Sequence, residues 1–200
     1  MCDIEAFILV GGASSRMGRD KALLELGGRN FIGRIYAALE PISTKISLVG
    51  QKERFAALSP LPIVPDIHVK WGALGGLHAA LAACSKEWAA VVACDLPFVT
   101  GELFVRLASL RKNFDAIVPV QPDGHLQPLC ALYRAAACRD LSEELIAGGE
   151  RRPRALLERV RARRVAFDEL SDLNHATRFF LNINTPQEYW DAKRREQTEL

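Results

Sequence analysis

The stretch Glu5-Ala6-Phe7-Ile8-Leu9-Val10-Gly11-Gly12-Ala13-Ser14-Ser15-Arg16-Met17-Gly18-Arg19-Asp20-Lys21 decides the fold. An apolar run without alternation, halted by two glycines, reads as a strand buried on both faces, the kind found inside parallel sheets. The loop that follows is small, polar and cationic. In open α/β sheets such a loop, just past the carboxyl end of a strand, is where ligands bind.

Working outward, the same rhythm repeats. Asn30 caps an amphipathic helix carrying Phe31, Ile35, Ala38 and Leu39 and stopped at Pro41. Strands are expected at 46–49, 62–65, 88–94 and 115–120, with helices at 52–58, 73–84 and from Thr100 to about Leu110. Strand–helix alternation at this spacing predicts an α/β fold with a mostly parallel sheet and helices on both faces. After Val120 the rhythm changes: a Pro122-Asp123-Gly124 turn, a strand at 129–133, a helix at 134–146, an arginine-rich stretch at 150–164 and a last short strand at 179–183. Thr185-Pro186-Gln187-Glu188 then opens a terminal helix with a capping box and Pro at its first position. Residues 1–200 are expected to form one domain, with a nucleotide-binding part over about 1–120 and a second part over about 121–200.

Composition narrows the function. Lys and Arg number 26 against 24 Asp and Glu, a net charge of +2, too balanced for a nucleic-acid binder. No apolar run approaches the roughly 20 residues of a membrane span. The acidic start and five scattered cysteines (Cys2, Cys84, Cys94, Cys130, Cys138) point to a reducing, cytoplasmic setting. The four histidines, His68, His78, His125 and His175, lie far apart without paired spacing, which argues against a zinc site. His78 and His175 read as packing or surface residues, and His125 stands in a turn bordering the cleft.

Chemistry concentrates in a few places. Between Leu9 and Lys21, small residues let backbone N–H groups approach phosphate oxygens while Arg16, Arg19 and Lys21 bring positive charge. The spacing is neither a Walker A loop nor G-x-G-x-x-G. Asp95, after the apolar run 88–94, suits either an Mg²⁺ ion or a turn before Pro97. Asp66, at another strand end, is locally balanced between a turn and a ligand contact. Gly72 and Gly75-Gly76 read locally as turn or packing glycines. Asn182 and Asn184 alternate along the last expected strand, so their amides share one side, where they suit a polar heterocycle or a strand-end turn. The arginines of 151–164 read mainly as a solvated helix face.

Taken together, L-x-G-G-x-S-x-R-M-G-x-D-K, Asp66, Gly72-Ala73-Leu74-Gly75-Gly76, Cys94-Asp95-Leu96-Pro97, Gly149-Glu150-Arg151-Arg152 and Asn182-Ile183-Asn184-Thr185-Pro186 resemble the molybdenum cofactor guanylyltransferases. These lie within the wider Rossmann-like nucleotidyltransferases, and the resemblance covers nearly the whole chain. It implies transfer of GMP from GTP to molybdopterin with release of pyrophosphate, and Mg²⁺ on Asp95. It also implies nucleotide contacts from Leu9, Val10, Gly11, Gly12, Lys21, Asp66, Gly72, Gly76 and Asp95. Lys21, Asp95 and Arg16 become the catalytic group; Asn182, Asn184 and Arg151 or Arg152 fall on the molybdopterin side. Molybdoenzyme maturation proteins become possible partners. Guanine is favoured over cytosine because cytidylyl-transferring relatives typically read Leu-Ala-Ala-Gly where Leu9-Val10-Gly11-Gly12 stands here. The chain departs from many relatives at Val49-Gly50, where a polar nucleotide contact is usual. The alternatives are a cytidylyl or sugar-phosphate nucleotidyltransferase of the same superfamily, or a non-catalytic cofactor-delivery protein.

Overall fold

A computed structural model describes residues 3–10, 24–51 and 60–198. The expected helix at 52–58 and the loop from Gly11 to Lys21, with Gly12 and Arg16, lie outside the described residues.

The main sheet contains β1 (Ile4–Leu9), β4 (Ile46–Val49), β5 (Ile63–Val64), β6 (Trp88–Ala93), β7 (Ala116–Pro119), β8 (Cys130–Arg134) and β9 (Ala162–Val165), in the order β5-β4-β1-β6-β8-β7-β9. Strand β1 is parallel to both β4 and β6, β4 to β5, and β7 to β9; β8 runs antiparallel between β6 and β7. The expected α/β architecture, mostly parallel, is borne out. Every residue of β1 is buried, because its two faces meet two cores. Ile4, Ala6, Ile8 and Val10 face α1 (Phe31–Leu39) and α3 (Gly101–Ser109). Phe7 and Leu9 face α2 (Gly72–Ala83), α4 (Ala135–Ala147) and α5 (Pro153–Arg159). The buried carboxylate of Glu5 accepts hydrogen bonds from the Ser85 amide and hydroxyl, each 2.8 Å, so the α2–β6 connection satisfies it.

The capping signals act as read. The Asn30 side chain accepts from the Gly33 amide at 2.7 Å, and Thr100 from the Leu103 amide at 3.4 Å. Thr185 accepts from the Glu188 amide at 3.2 Å while Glu188 accepts from the Thr185 amide at 3.0 Å, a reciprocal box opening α6 (Pro186–Thr198). Ahead of α1, the two-residue strands β2 (Glu25–Leu26) and β3 (Arg29–Asn30) form a hairpin. Its turn is Gly27-Gly28, both at positive φ, as a tight primed turn requires.

Two expectations needed correction. The arginine-rich stretch read as a solvated helix face divides into α5 and the edge strand β9; Asp115, at the foot of β7, holds Arg161 through two hydrogen bonds of 2.9 and 3.1 Å. The last strand expected at 179–183 does not form. Ala176–Arg178 is a 3-10 turn, and 181–184 runs irregularly toward α6. Phe179 and Ile183 are buried there, so the apolar spacing reported burial and not a strand.

Candidate active site

The sheet order places a switch in direction at β1. The chain steps from β1 out to β4 and β5, then returns to β6 on the other side of β1. Helices leave in opposite directions at such a point, opening a crevice beyond the carboxyl ends of the strands. Because β1, β4, β5 and β6 are parallel, Val10, Gly50, Asp66 and Asp95 follow their strands at the same edge of the sheet.

Backbone bonds fix this edge. The Val10 amide donates to the Val49 carbonyl at 2.9 Å, the Gly50 amide to Val64 at 3.0 Å, and the Cys94 amide to Leu9 at 3.0 Å. Leu9 and Val10 are thereby held between β4 and the Asp95 turn, and the chain leaves Val10 for the phosphate-type loop. Asp95 is half-buried in a turn directly after β6. Asp66 is half-buried too, and desolvation raises its carboxyl above the usual aspartate value.

The structure separates the glycines that the sequence grouped. Gly72 opens α2 at φ +71°, with no atom within 4 Å of where a Cβ would stand; the backbone there suits glycine, and the space beside it is open. At Gly76 a Cβ would meet the Leu9 side chain at 3.6 Å, an ordinary contact. Gly75 is the sterically obliged one: a Cβ would lie 2.8 Å from Trp71 Cβ and 3.2 Å from the His68 carbonyl oxygen.

The residues expected on the molybdopterin side arrive from two directions. Ile183 donates its amide to the Asp95 carbonyl at 3.0 Å, which brings Asn182 and Asn184 beside the Asp95 turn. Asn182 is exposed and Asn184 half-buried around the buried Ile183. Arg151 and Arg152 instead adjoin the start of α2. The Arg151 guanidinium lies 4.8 Å above the Trp71 ring, the Arg151 carbonyl accepts from the Leu74 amide at 3.3 Å, and the Trp71 indole donates to the Glu150 carbonyl at 2.8 Å. Arg152 forms a two-point pair with Glu150, at 2.9 and 2.8 Å. That pair, together with the Arg151 and Arg152 amides, lowers the Glu150 carboxyl to about 2. Sequence reading missed Trp71, which binds this corner together; an aromatic next to a motif glycine was the available signal. His125 is exposed and pairs with Asp123 of its own turn.

A parallel-sheet switch point, a carboxylate at the end of β6 and the small, cationic sequence that follows β1 are the marks of a nucleotide-handling α/β enzyme. Known proteins narrow it further. Residues 6–165 match the MobA-like NTP transferase domain. The chain is 34% identical over 193 residues to a probable molybdenum cofactor guanylyltransferase of Pelotomaculum thermopropionicum, covering 96% of this chain and 93% of that one. A protein so described from Carboxydothermus hydrogenoformans is 32% identical, with 94% of each chain covered. Among solved structures, molybdopterin-guanine dinucleotide biosynthesis protein A from Archaeoglobus fulgidus superposes with a TM-score of 0.82 at 27% identity, over 97% of this chain and 99% of that one. This chain belongs to the MobA-like NTP transferase family and is a nucleotidyltransferase. Among the described residues, no helix is long and apolar enough to cross a membrane.

Proposed function

We propose that this protein transfers GMP from GTP to the phosphate of molybdopterin, forming the guanine dinucleotide cofactor and releasing pyrophosphate. The observation that carries the reading is the junction of Leu9 with the Asp95 turn at the switch point, where the Cys94 amide meets the Leu9 carbonyl at 3.0 Å. The end of β1, where the small cationic sequence 11–21 begins, and the turn that bears the carboxylate are neighbours there, an arrangement that suits a triphosphate with its counter-ion.

The chemistry follows from charge. A phosphate oxygen of molybdopterin attacks the α-phosphorus of GTP, a new P–O bond forms, and the α–β phosphoanhydride bond breaks toward pyrophosphate. The acceptor is already anionic, so the protein's task is positioning and charge neutralisation. Lys21, Arg16 and the loop amides of Gly11 and Gly12 serve the triphosphate. Leu9 and Val10 end β1 against the nucleotide, while Gly72, Gly76 and Asp66 border the nucleoside. Asn182 and Asn184 serve the pterin beside Asp95, and Arg151 and Arg152 supply cations from the α2 corner. Asp95 is a hard oxygen donor at a strand end, and its donor chemistry fits Mg²⁺, which would offset charge on the departing pyrophosphate. The thiols of Cys130 and Cys138 are buried, and desolvation pushes their pKa values up, so they stay protonated and unreactive.

Pyrophosphate release with molybdopterin, Mg²⁺ and either GTP or CTP tests the reading. Turnover with GTP at least ten times that with CTP is expected. Comparable turnover with CTP replaces it by the cytidylyl reading; nucleotide binding without pyrophosphate release replaces it by the delivery role.

A further inference from the structure

On the α2–α4 side of the sheet, three side chains distant in sequence converge. His68 belongs to the connection between β5 and α2, His78 to α2, and Glu143 to α4. Glu143 Oε2 lies 2.9 Å from His68 Nε2 and 2.9 Å from His78 Nε2. All three ligand atoms fall within 4.8 Å of one another.

We propose that His68, His78 and Glu143 form a binding site for a divalent transition-metal cation of the zinc class. Two imidazole nitrogens and one carboxylate oxygen are a donor set that suits Zn²⁺, Co²⁺ or Ni²⁺, whereas Mg²⁺ prefers oxygen alone. Three protein ligands leave a fourth position open to water or a further ligand. Tetrahedral zinc at about 2.0–2.1 Å from each donor sets its ligands about 3.3 Å apart. The spacings present here, 2.9 Å for the two contacts and at most 4.8 Å overall, bracket that value.

The His78 side chain is 7% exposed and turns its Nε2 to Glu143, so a buried imidazole nitrogen and a carboxylate oxygen meet at the cluster. Glu143 is half-exposed and opens the cluster to solvent. A cation there would tie the segment that follows Asp66 to α2 and α4. The proposal does not rest on the proposed transfer reaction.

The test uses the whole chain, freed of metal by chelation and titrated with Co²⁺ in the presence of millimolar Mg²⁺. One equivalent of Co²⁺ should bind with the visible bands of a low-symmetry nitrogen–oxygen site, be displaced by Zn²⁺, and raise the melting temperature. His68→Ala and Glu143→Gln, both accessible positions, should remain folded by circular dichroism and bind at least about 10-fold more weakly. They should also lose the Zn²⁺-dependent rise in melting temperature. Absence of Co²⁺ and Zn²⁺ uptake by the wild type overturns the proposal. Unchanged binding in both folded variants does so as well, and thiolate-type bands surviving in them would assign the cation to cysteine.

Discussion

The backbone amide of Ile183 donates to the backbone carbonyl of Asp95 at 3.0 Å, joining the approach to the last helix to the turn that ends the central strand β6. Ile183 is buried with Leu26, Phe31, Phe98 and Ala192 in a small core under α6. The C-terminal helix and its apolar anchor therefore position the segment bearing Asn182 and Asn184 against the carboxylate turn. The bond uses the main chain of Asp95 and not its carboxylate.

Asp95→Asn separates these roles. The main-chain bond survives, so the melting temperature should stay near that of the wild type. The amide is a poor ligand for a hard cation, and turnover should fall by about 10²–10³-fold, the usual loss when one electrostatic contact to a developing charge is removed. Steady-state pyrophosphate release across a range of Mg²⁺ concentrations measures this; wild-type turnover would reduce Asp95 to a turn residue.

The amide pair and the loop lysine should affect different substrates. Asn182→Ala with Asn184→Ala should leave GTP·Mg²⁺ binding within about twofold and impair use of molybdopterin. Lys21→Ala should weaken GTP·Mg²⁺ by about 1.5–3 kcal/mol, the scale of a hydrogen bond to a charged group. Calorimetric titration of GTP·Mg²⁺ into both variants checks the division; equal loss of GTP affinity would refute it.

Gly75→Ala should destabilise the fold. The new methyl group would stand 2.8 Å from Trp71 Cβ and 3.2 Å from the His68 carbonyl, and neither is a flexible side-chain end. Overpacking of this kind costs about 1–3 kcal/mol, read as a lower denaturation midpoint. Gly76→Ala, with only an ordinary contact to Leu9 at 3.6 Å, should cost distinctly less.

Asp115 predicts part of the acid limb of stability. Its side chain is 14% exposed, and the Arg161 hydrogen bonds hold its carboxyl below the ordinary value of 3.8. A carboxyl depressed in the folded state contributes stability that is complete above its unfolded pKa and is lost as pH falls from there through the folded value. Asp115→Asn should therefore be less stable than the wild type at neutral pH. The gap between the two should narrow below about pH 4. Urea denaturation at pH 7, 4 and 2.5 measures it.

The sequence alone determined the local elements and the family. The unbroken apolar run 6–10 had to be a strand covered on both faces, because no alternation offered it a solvent side. Asn30, Thr100 and the Thr185–Glu188 box marked their helices, since capping is chemistry within a few residues. The loop composition and Asp95 at a strand end marked the candidate edge for the same local reason. Tertiary structure decided what depends on long-range pairing. Strand β9 is short and arginine-rich, and becomes a strand only because β7 offers it an edge and Asp115 takes up Arg161. Residues 179–183 carry strand-like spacing but join no strand among the described residues, so Phe179 and Ile183 bury themselves from an irregular segment. His68, His78 and Glu143 look unrelated along the chain, and Arg151 gives no sign of its place above Trp71. Both meetings arise from helices packed on one face of the sheet, at separations where residue spacing carries no information about distance.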